Sequence, residues 1–177
     1  MQTSQSKKDP VVHNKSTPDS KLLEIERKFD VPAATLFDAF ASADAVEAWW
    51  WPEGMYADNV DWDFREGGRF FINMKGAQQG GSGMAGIFEE IVREERIVMT
   101  DQFADENGRV ISAKEANMPG KWPEKGYITL EFEALDDDSS LLHLSQEGIP
   151  NEMHKDCIEG WNQMFAKLDK YLKDRRH

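Results

Sequence analysis

The sequence predicts an α+β domain in which a curved antiparallel sheet of about six or seven strands wraps round a long C-terminal helix. Two patterns predict this fold class. Several short segments between residues 22 and 147 alternate apolar and polar side chains, the period of two that belongs to strands with one wet face. The segment after Pro150 instead places its apolar residues on one helical stripe.

Length, composition and charge limit the functions of this chain. Its 177 residues fit one domain, which can bury a sizeable core without disulfides or metals. The net charge is −12, and because residues 1–21 carry four lysines and two aspartates, the rest of the chain carries −14. This acidity disfavours nucleic acid and anionic membranes as partners. A single cysteine favours a cytoplasmic location, and no apolar run is long enough for a membrane span.

The first elements follow from composition, alternation and capping signals. Residues 1–20 are polar and predict a disordered tail, which leaves residues 22–174 as the single domain. The segment 23–29 alternates apolar with charged residues and predicts strand one. Two short helices follow, because Pro32 fits the first turn of a helix and Ser42 fits the cap of another, which runs into a Trp-Trp-Trp sequence.

The central part of the chain predicts six further strands, joined by turns and two longer loops. These strands cover about residues 60–65, 69–75, 84–92, 96–104, 128–133 and 141–146. The Gly-rich residues 76–83 and the aperiodic residues 105–126 predict loops. These two loops and the Trp segment 49–51 are the only segments with enough freedom to gate one end of the sheet.

The last element is a helix of about 22 residues that begins near Asn151, a candidate cap. Basic residues load its C-terminal end, where they complement the helix dipole. The apolar stripe on this helix contains Met153, Cys157, Trp161, Met164 and Leu168. This stripe predicts the face that packs against the sheet.

The order of these elements is that of the helix-grip fold, and several segments carry a closer resemblance. They are residues 25–33, Leu36-Phe37-Asp38-Ala39-Phe40, residues 46–54, Gly86-Ile87-Phe88-Glu89-Glu90-Ile91, residues 94–98 and Glu159-Gly160-Trp161 with Leu168. Together they resemble the START-like (SRPBCC) superfamily, specifically the family homologous to the activator of heat-shock protein 90 ATPase. The resemblance covers about residues 22–174. It carries no shared catalytic motif.

The superfamily resemblance implies a cavity between the sheet and the final helix that binds a small hydrophobic or amphipathic molecule. The aromatic residues of the chain either line this cavity or fill a packed core, and the methionines either add an adaptable lining or fill gaps. The candidate ligand-binding residues are Trp49, Trp50, Trp62, Phe71, Met84, Met99, Trp122, Trp161, Phe165 and Arg27.

The polar candidates do not form a catalytic or metal-binding pattern. Arg27 lies on the apolar face of strand one, so its guanidinium either enters the interior, with Asp101 or Gln146 as partner, or reaches the rim. His143 and His154 have no motif around them and are expected on the surface. No nucleophile signature or set of metal ligands occurs, and we predict no cofactor and no metal.

Three functions compete at this point. The first is binding of a small hydrophobic ligand without a defined catalytic constellation. The second is a chaperone-activator-like interaction module, with a chaperone as partner. The third is an enzyme, such as a cyclase or hydrolase, that uses polar residues of the pocket. We expect a cytoplasmic monomer or homodimer in each case.

Overall fold

The computed structural model describes residues 16–76 and 82–175. Within them, the strands are β1 (Leu23–Phe29), β2 (Met55–Trp62), β3 (Arg69–Gly76), β4 (Ser82–Val92), β5 (Arg96–Ala104), β6 (Gly126–Asp136) and β7 (Ser139–Glu147). The helices are α1 (Ala33–Asp38), α2 (Ala43–Glu47) and α3 (His154–Asp174), with one 3-10 turn at Asn151–Met153 before α3. No helix among these residues is long and apolar enough to cross a membrane.

The strands form one antiparallel sheet with the order β1-β7-β6-β5-β4-β3-β2. Strands β2 to β7 therefore pair with their neighbours in sequence, and β1 closes the other edge by pairing with β7. The sheet curls round α3, and the two short helices follow β1. This arrangement confirms the predicted α+β helix-grip fold.

Aromatic side chains fix α3 against the inner face of the sheet. Phe165 meets Phe29 of β1 edge to face, with ring centroids 6.3 Å apart. Trp161 meets Trp50 at 5.4 Å, and Leu168 is fully buried. Because large aromatic side chains remove much apolar surface from water, these contacts stabilise the packing of α3 against the rest of the domain.

Both predicted short helices are present, but Pro32 lies immediately before α1 instead of in its first turn, and α2 is shorter than predicted. The Ser42 hydroxyl accepts a hydrogen bond from the Ala45 N–H at 3.2 Å, which confirms Ser42 as the cap. The prediction that this helix runs into the tryptophans was wrong, since α2 ends at Glu47. The Trp49 indole N–H instead donates to the Ala39 carbonyl at 3.0 Å and anchors the chain against the end of α1.

Strand β2 begins at Met55, about five residues before the predicted start at Val60. The pairing of β2 with β3 shifts register between Ala57 and Asn59. Such a shift interrupts the alternation of inward and outward side chains. An edge strand also buries few side chains, so its apolar pattern is weak. The sequence pattern therefore shows only the second half of this strand.

Asn151 holds the chain that precedes β1 instead of capping the final helix. Its side-chain oxygen accepts from the Lys21 N–H at 2.9 Å, and its side-chain nitrogen donates to the Pro18 carbonyl at 2.8 Å. The Asn151 backbone N–H donates to the Asp19 carbonyl at 3.0 Å. The last five residues of the predicted tail thus have defined contacts, while residues 1–15 of that tail, and 77–81 of the predicted Gly-rich loop, lie outside the described residues.

Candidate functional site: a cavity at one end of the sheet

A cavity of about 240 Å³ lies between the inner face of the sheet, α3 and the connection from β5 to β6. Its wall is mostly apolar. Four aromatic side chains line it: Trp50, Phe103, Trp122 and Trp161. Four thioethers add a deformable lining: Met74, Met84, Met118 and Met164. The size and the apolar lining suit a small organic molecule.

The polar wall of the cavity comes from the same alternation that builds the core. Ile97 and Met99 of β5 are buried, and two residues further along the same face stands Asp101. Likewise Leu142 and Leu144 of β7 are buried, and the next residue on that face is Gln146. Both strands therefore change from apolar to polar at the end where the cavity opens.

Asp101, Gln146 and Trp161 form a hydrogen-bonded chain in this wall. The Gln146 side-chain N–H donates to Asp101 Oδ2 at 2.8 Å, and the Trp161 indole N–H donates to Gln146 Oε1 at 2.9 Å. Because an indole N–H can only donate, it fixes the orientation of the amide and directs the amide N–H to the carboxylate. Asp101 is thus held in position by a second residue and indirectly by a third.

Burial changes the acidity of two groups in the cavity. It raises the pKa of Asp101 to about 6, although the hydrogen bond from Gln146 lowers that pKa in part. Burial also raises the pKa of the Cys157 thiol to about 11, and the charge of Asp101 adds to this shift. Cys157 is therefore a neutral thiol at physiological pH, and Asp101 is largely ionised there.

The connection between β5 and β6 forms the outer wall of the cavity. The Trp122 indole N–H donates to the Pro119 carbonyl at 2.8 Å, and the Trp122 ring meets Phe103 edge to face at 5.0 Å. The Gln102 side chain donates to the Glu124 carbonyl at 3.3 Å. These contacts hold a segment that has neither helix nor strand against the end of β5.

The predicted ligand-binding residues divide into three groups. Four line the cavity: Trp50, Met84, Trp122 and Trp161. Four pack in the core: Trp49, Trp62, Met99 and Phe165. Phe71 and Arg27 lie elsewhere, Phe71 in a small cluster with Ala85 and Ala104.

Local contacts explain why Trp62, Phe71 and Arg27 do not line the cavity. The Trp62 indole donates to the Phe40 carbonyl at 2.7 Å and its ring packs on Phe88, so it belongs to the filled end of the core. Phe71 follows Phe70 in β3 and therefore points to the opposite face of the sheet. The Arg27 guanidinium lies over the Phe29 ring, 5.7 Å from its centroid, and Asp101 and Gln146 bond to each other instead.

Sequence reasoning considered Asp101 and Gln146 only as partners for Arg27 and missed them as cavity residues. Each lies on the same face of its strand as buried apolar residues, and this alternation was the signal that would have found them. Cys157, expected in the core, lines the cavity together with Gly160 of α3. Met118 had no signal, because the connection that carries it has no periodicity.

The candidate histidines His143 and His154 lie outside the cavity. His143 Nε2 is 3.3 Å from Glu24 Oε1, and His143 Nδ1 is 3.6 Å from Glu131 Oε1, on the outer face of the sheet. The His154 ring nitrogen lies 3.0 Å from the Ile149 carbonyl oxygen. Among the residues that the structure describes, no three His, Cys, Asp or Glu side chains are grouped to hold a metal.

The fold and the cavity together define a START-like helix-grip domain. Residues 30–173 match the model of the family "Activator of Hsp90 ATPase homolog 1-like protein". The chain belongs to this family. A search of curated proteins found no significant match.

Solved bacterial structures share the fold. A protein from Chromobacterium violaceum has 25% identity and a TM-score of 0.70, with 86% of this chain and 96% of that chain covered. A protein of the same family from Silicibacter pomeroyi has 22% identity and a TM-score of 0.69, with coverage of 86% and 97%. A protein from Mycobacterium smegmatis has 21% identity and a TM-score of 0.73, with coverage of 95% and 100%.

Proposed function

We propose that this protein binds a small hydrophobic or amphipathic molecule in the cavity between the sheet and α3. The observation that carries the proposal is the ordered chain Asp101–Gln146–Trp161 in an otherwise apolar wall. Binding sites for small molecules combine apolar walls, which give affinity, with a few fixed polar groups, which give orientation. The cavity has both parts.

The loss of stability that buried Asp101 causes at neutral pH supports a binding function. A carboxyl group whose pKa is raised by burial makes the folded state less stable at neutral pH. Perturbed carboxyl groups in clefts are therefore candidates for functional groups. An apolar residue on this face of β5 would continue the core without that cost.

The volume of the cavity limits the ligand to a small molecule. A cavity of about 240 Å³ exceeds the roughly 150 Å³ that accommodates benzene in an engineered protein and falls short of the roughly 300 Å³ typical of drug-sized ligands. A single ring with a short chain fits these limits. The unpaired Cys157 and the acidic chain support a cytoplasmic site of action as part of the proposal.

The test of this function uses Gly160, which lines the cavity from α3. A Cβ built at this position meets no atom within 4 Å, so a side chain there has room to enter the cavity. We expect wild-type protein to bind 3-phenylpropanol saturably, with quenching of tryptophan fluorescence and a Kd between about 1 µM and 1 mM. Gly160→Leu should weaken this binding roughly tenfold or more because it fills the cavity.

Ala166→Leu is the matched control, since Ala166 is exposed on the same helix. This variant should bind the probe as wild type does. Circular dichroism and thermal unfolding would show that both variants fold. Equal binding by Gly160→Leu and Ala166→Leu, or no saturable binding by wild-type protein, would overturn the proposed function.

A further inference from the structure

The charged groups in the cavity all have the same sign. Asp101 of β5, Glu124 of the outer wall and Glu147 of β7 line it, and the described lining residues include no Lys, Arg or His. The other titratable lining group is the neutral thiol of Cys157.

The aromatic groups in the cavity suit the same kind of ligand. Three of the six tryptophans of the chain, Trp50, Trp122 and Trp161, line it. The face of an indole ring carries negative potential and attracts a cation, and the attraction strengthens where water is removed. Carboxylates and indoles therefore both favour positive charge in this cavity.

We propose that the ligand is a small cationic amphiphile, a protonated amine on an apolar body, whose ammonium group pairs with Asp101. This inference rests on the proposed function and names the chemical class of its ligand. Asp101 Oδ2 accepts from Gln146, and no described residue donates a side-chain hydrogen bond to Oδ1. An ammonium N–H supplies the missing donor together with the missing positive charge.

The carboxylates of the cavity disfavour an anionic ligand. The Gln146 oxygen accepts from the Trp161 indole and one N–H of its amide donates to Asp101, so both groups are oriented before a ligand arrives. An anionic ligand would place a further negative charge beside three carboxylates, and like charges in a region of low dielectric repel strongly. A neutral ligand gains the apolar contacts but leaves the charge of Asp101 unbalanced.

The test compares three probes that share one apolar body: 3-phenylpropylamine, 3-phenylpropanol and 3-phenylpropanoate. At about pH 7.5 we expect the amine to bind roughly tenfold or more tightly than the alcohol, and the carboxylate to bind most weakly. If the alcohol or the carboxylate binds as tightly as the amine, the cationic ligand class is wrong and the binding function stands. If no probe binds, the proposed function itself fails.

Asp101→Asn separates the charge from the shape of the site. Asparagine can still accept the hydrogen bond from Gln146, so we expect the amine to lose roughly tenfold in affinity while the alcohol changes by less than about threefold. The control Asp137→Asn lies in the exposed turn between β6 and β7 and should change neither probe. An equal change of both probes in Asp101→Asn would overturn recognition of charge.

Discussion

At the scale of single residues, the carboxyl group of Asp101 makes the stability of the protein depend on pH. Its carboxyl stands in a wall that is mostly apolar, and the hydrogen bond from Gln146 offsets only part of the loss of water. The raised pKa means that the folded chain holds the proton of Asp101 more tightly than the unfolded chain does. The tighter binding of this proton contributes to the free energy of unfolding. That contribution is fully present below about pH 4 and is lost as the pH rises through about 6.

Asp101→Asn should accordingly stabilise the protein at neutral pH and not in acid. At about pH 7.5 we expect a gain of about 2 kcal/mol in the free energy of unfolding, after allowance for water in the open cavity. At about pH 4 the gain should fall to roughly 0.5 kcal/mol, since wild-type Asp101 is then protonated in the folded state and about half protonated in the unfolded state.

Urea unfolding of both proteins at several pH values measures this difference. The neighbouring Glu124, Glu147 and Cys157 are the same in both proteins, so the comparison isolates the change at Asp101. A difference that does not change between about pH 4 and 7.5 would show that Asp101 is solvated like a surface carboxyl.

At the scale of elements, alternation predicts strands well where one face is buried and the register is unbroken. β5 covers the predicted residues 96–104, and its pattern also contains the information that Asp101 faces inward. The first half of β2 was not predictable, because a register shift and an edge position remove the periodic signal. The wall formed by Met118 and Trp122 depends on contacts with distant residues, which a local pattern does not contain.

Asn151 is another residue whose hydrogen-bond partners lie far away in the sequence and could not be predicted from the local pattern. Asparagine before a helix predicts a cap, but its side chain bonds to Pro18 and Lys21, more than 100 residues earlier in the chain. We expect Asn151→Ala to increase amide hydrogen exchange at Lys21, because that N–H loses its acceptor. The loss of stability should be about 1 kcal/mol or less, since these bonds are exposed.

Asn151→Asp is the informative comparison for this tether. Aspartate keeps an acceptor for the Lys21 N–H but cannot donate to the Pro18 carbonyl. Exchange at Lys21 should therefore stay closer to wild type than in Asn151→Ala. Unchanged exchange at Lys21 in Asn151→Ala would contradict the tether.

At the scale of the whole molecule, one helix serves both the core and the cavity. The C-terminal half of α3 buries Phe165, Leu168 and Leu172 against the sheet. More than one turn closer to the N-terminus, the same helix lines the cavity with Cys157 and Gly160. The sequence predicted the stripe but not the point along it where packing gives way to open space. That point depends on the volumes of side chains from five strands and three of the connecting segments, which no single segment encodes.

The net charge of −12 attracts a cationic ligand to the protein, in addition to the pairing of the ligand with Asp101. The dependence of affinity on salt concentration distinguishes these two effects. Exposed charges are screened over about 10 Å at 0.1 M salt, whereas a recessed pair is screened much less. Between about 20 and 300 mM salt, we expect the affinity for 3-phenylpropylamine to fall by a few fold and that for 3-phenylpropanol to stay nearly constant. At high salt the amine should still bind more tightly than the alcohol in wild-type protein. In Asp101→Asn the affinity for the amine should still fall with salt, but the preference for the amine over the alcohol at high salt should be lost. If the wild-type preference for the amine disappears at high salt, recognition depends on the net charge instead of the cavity.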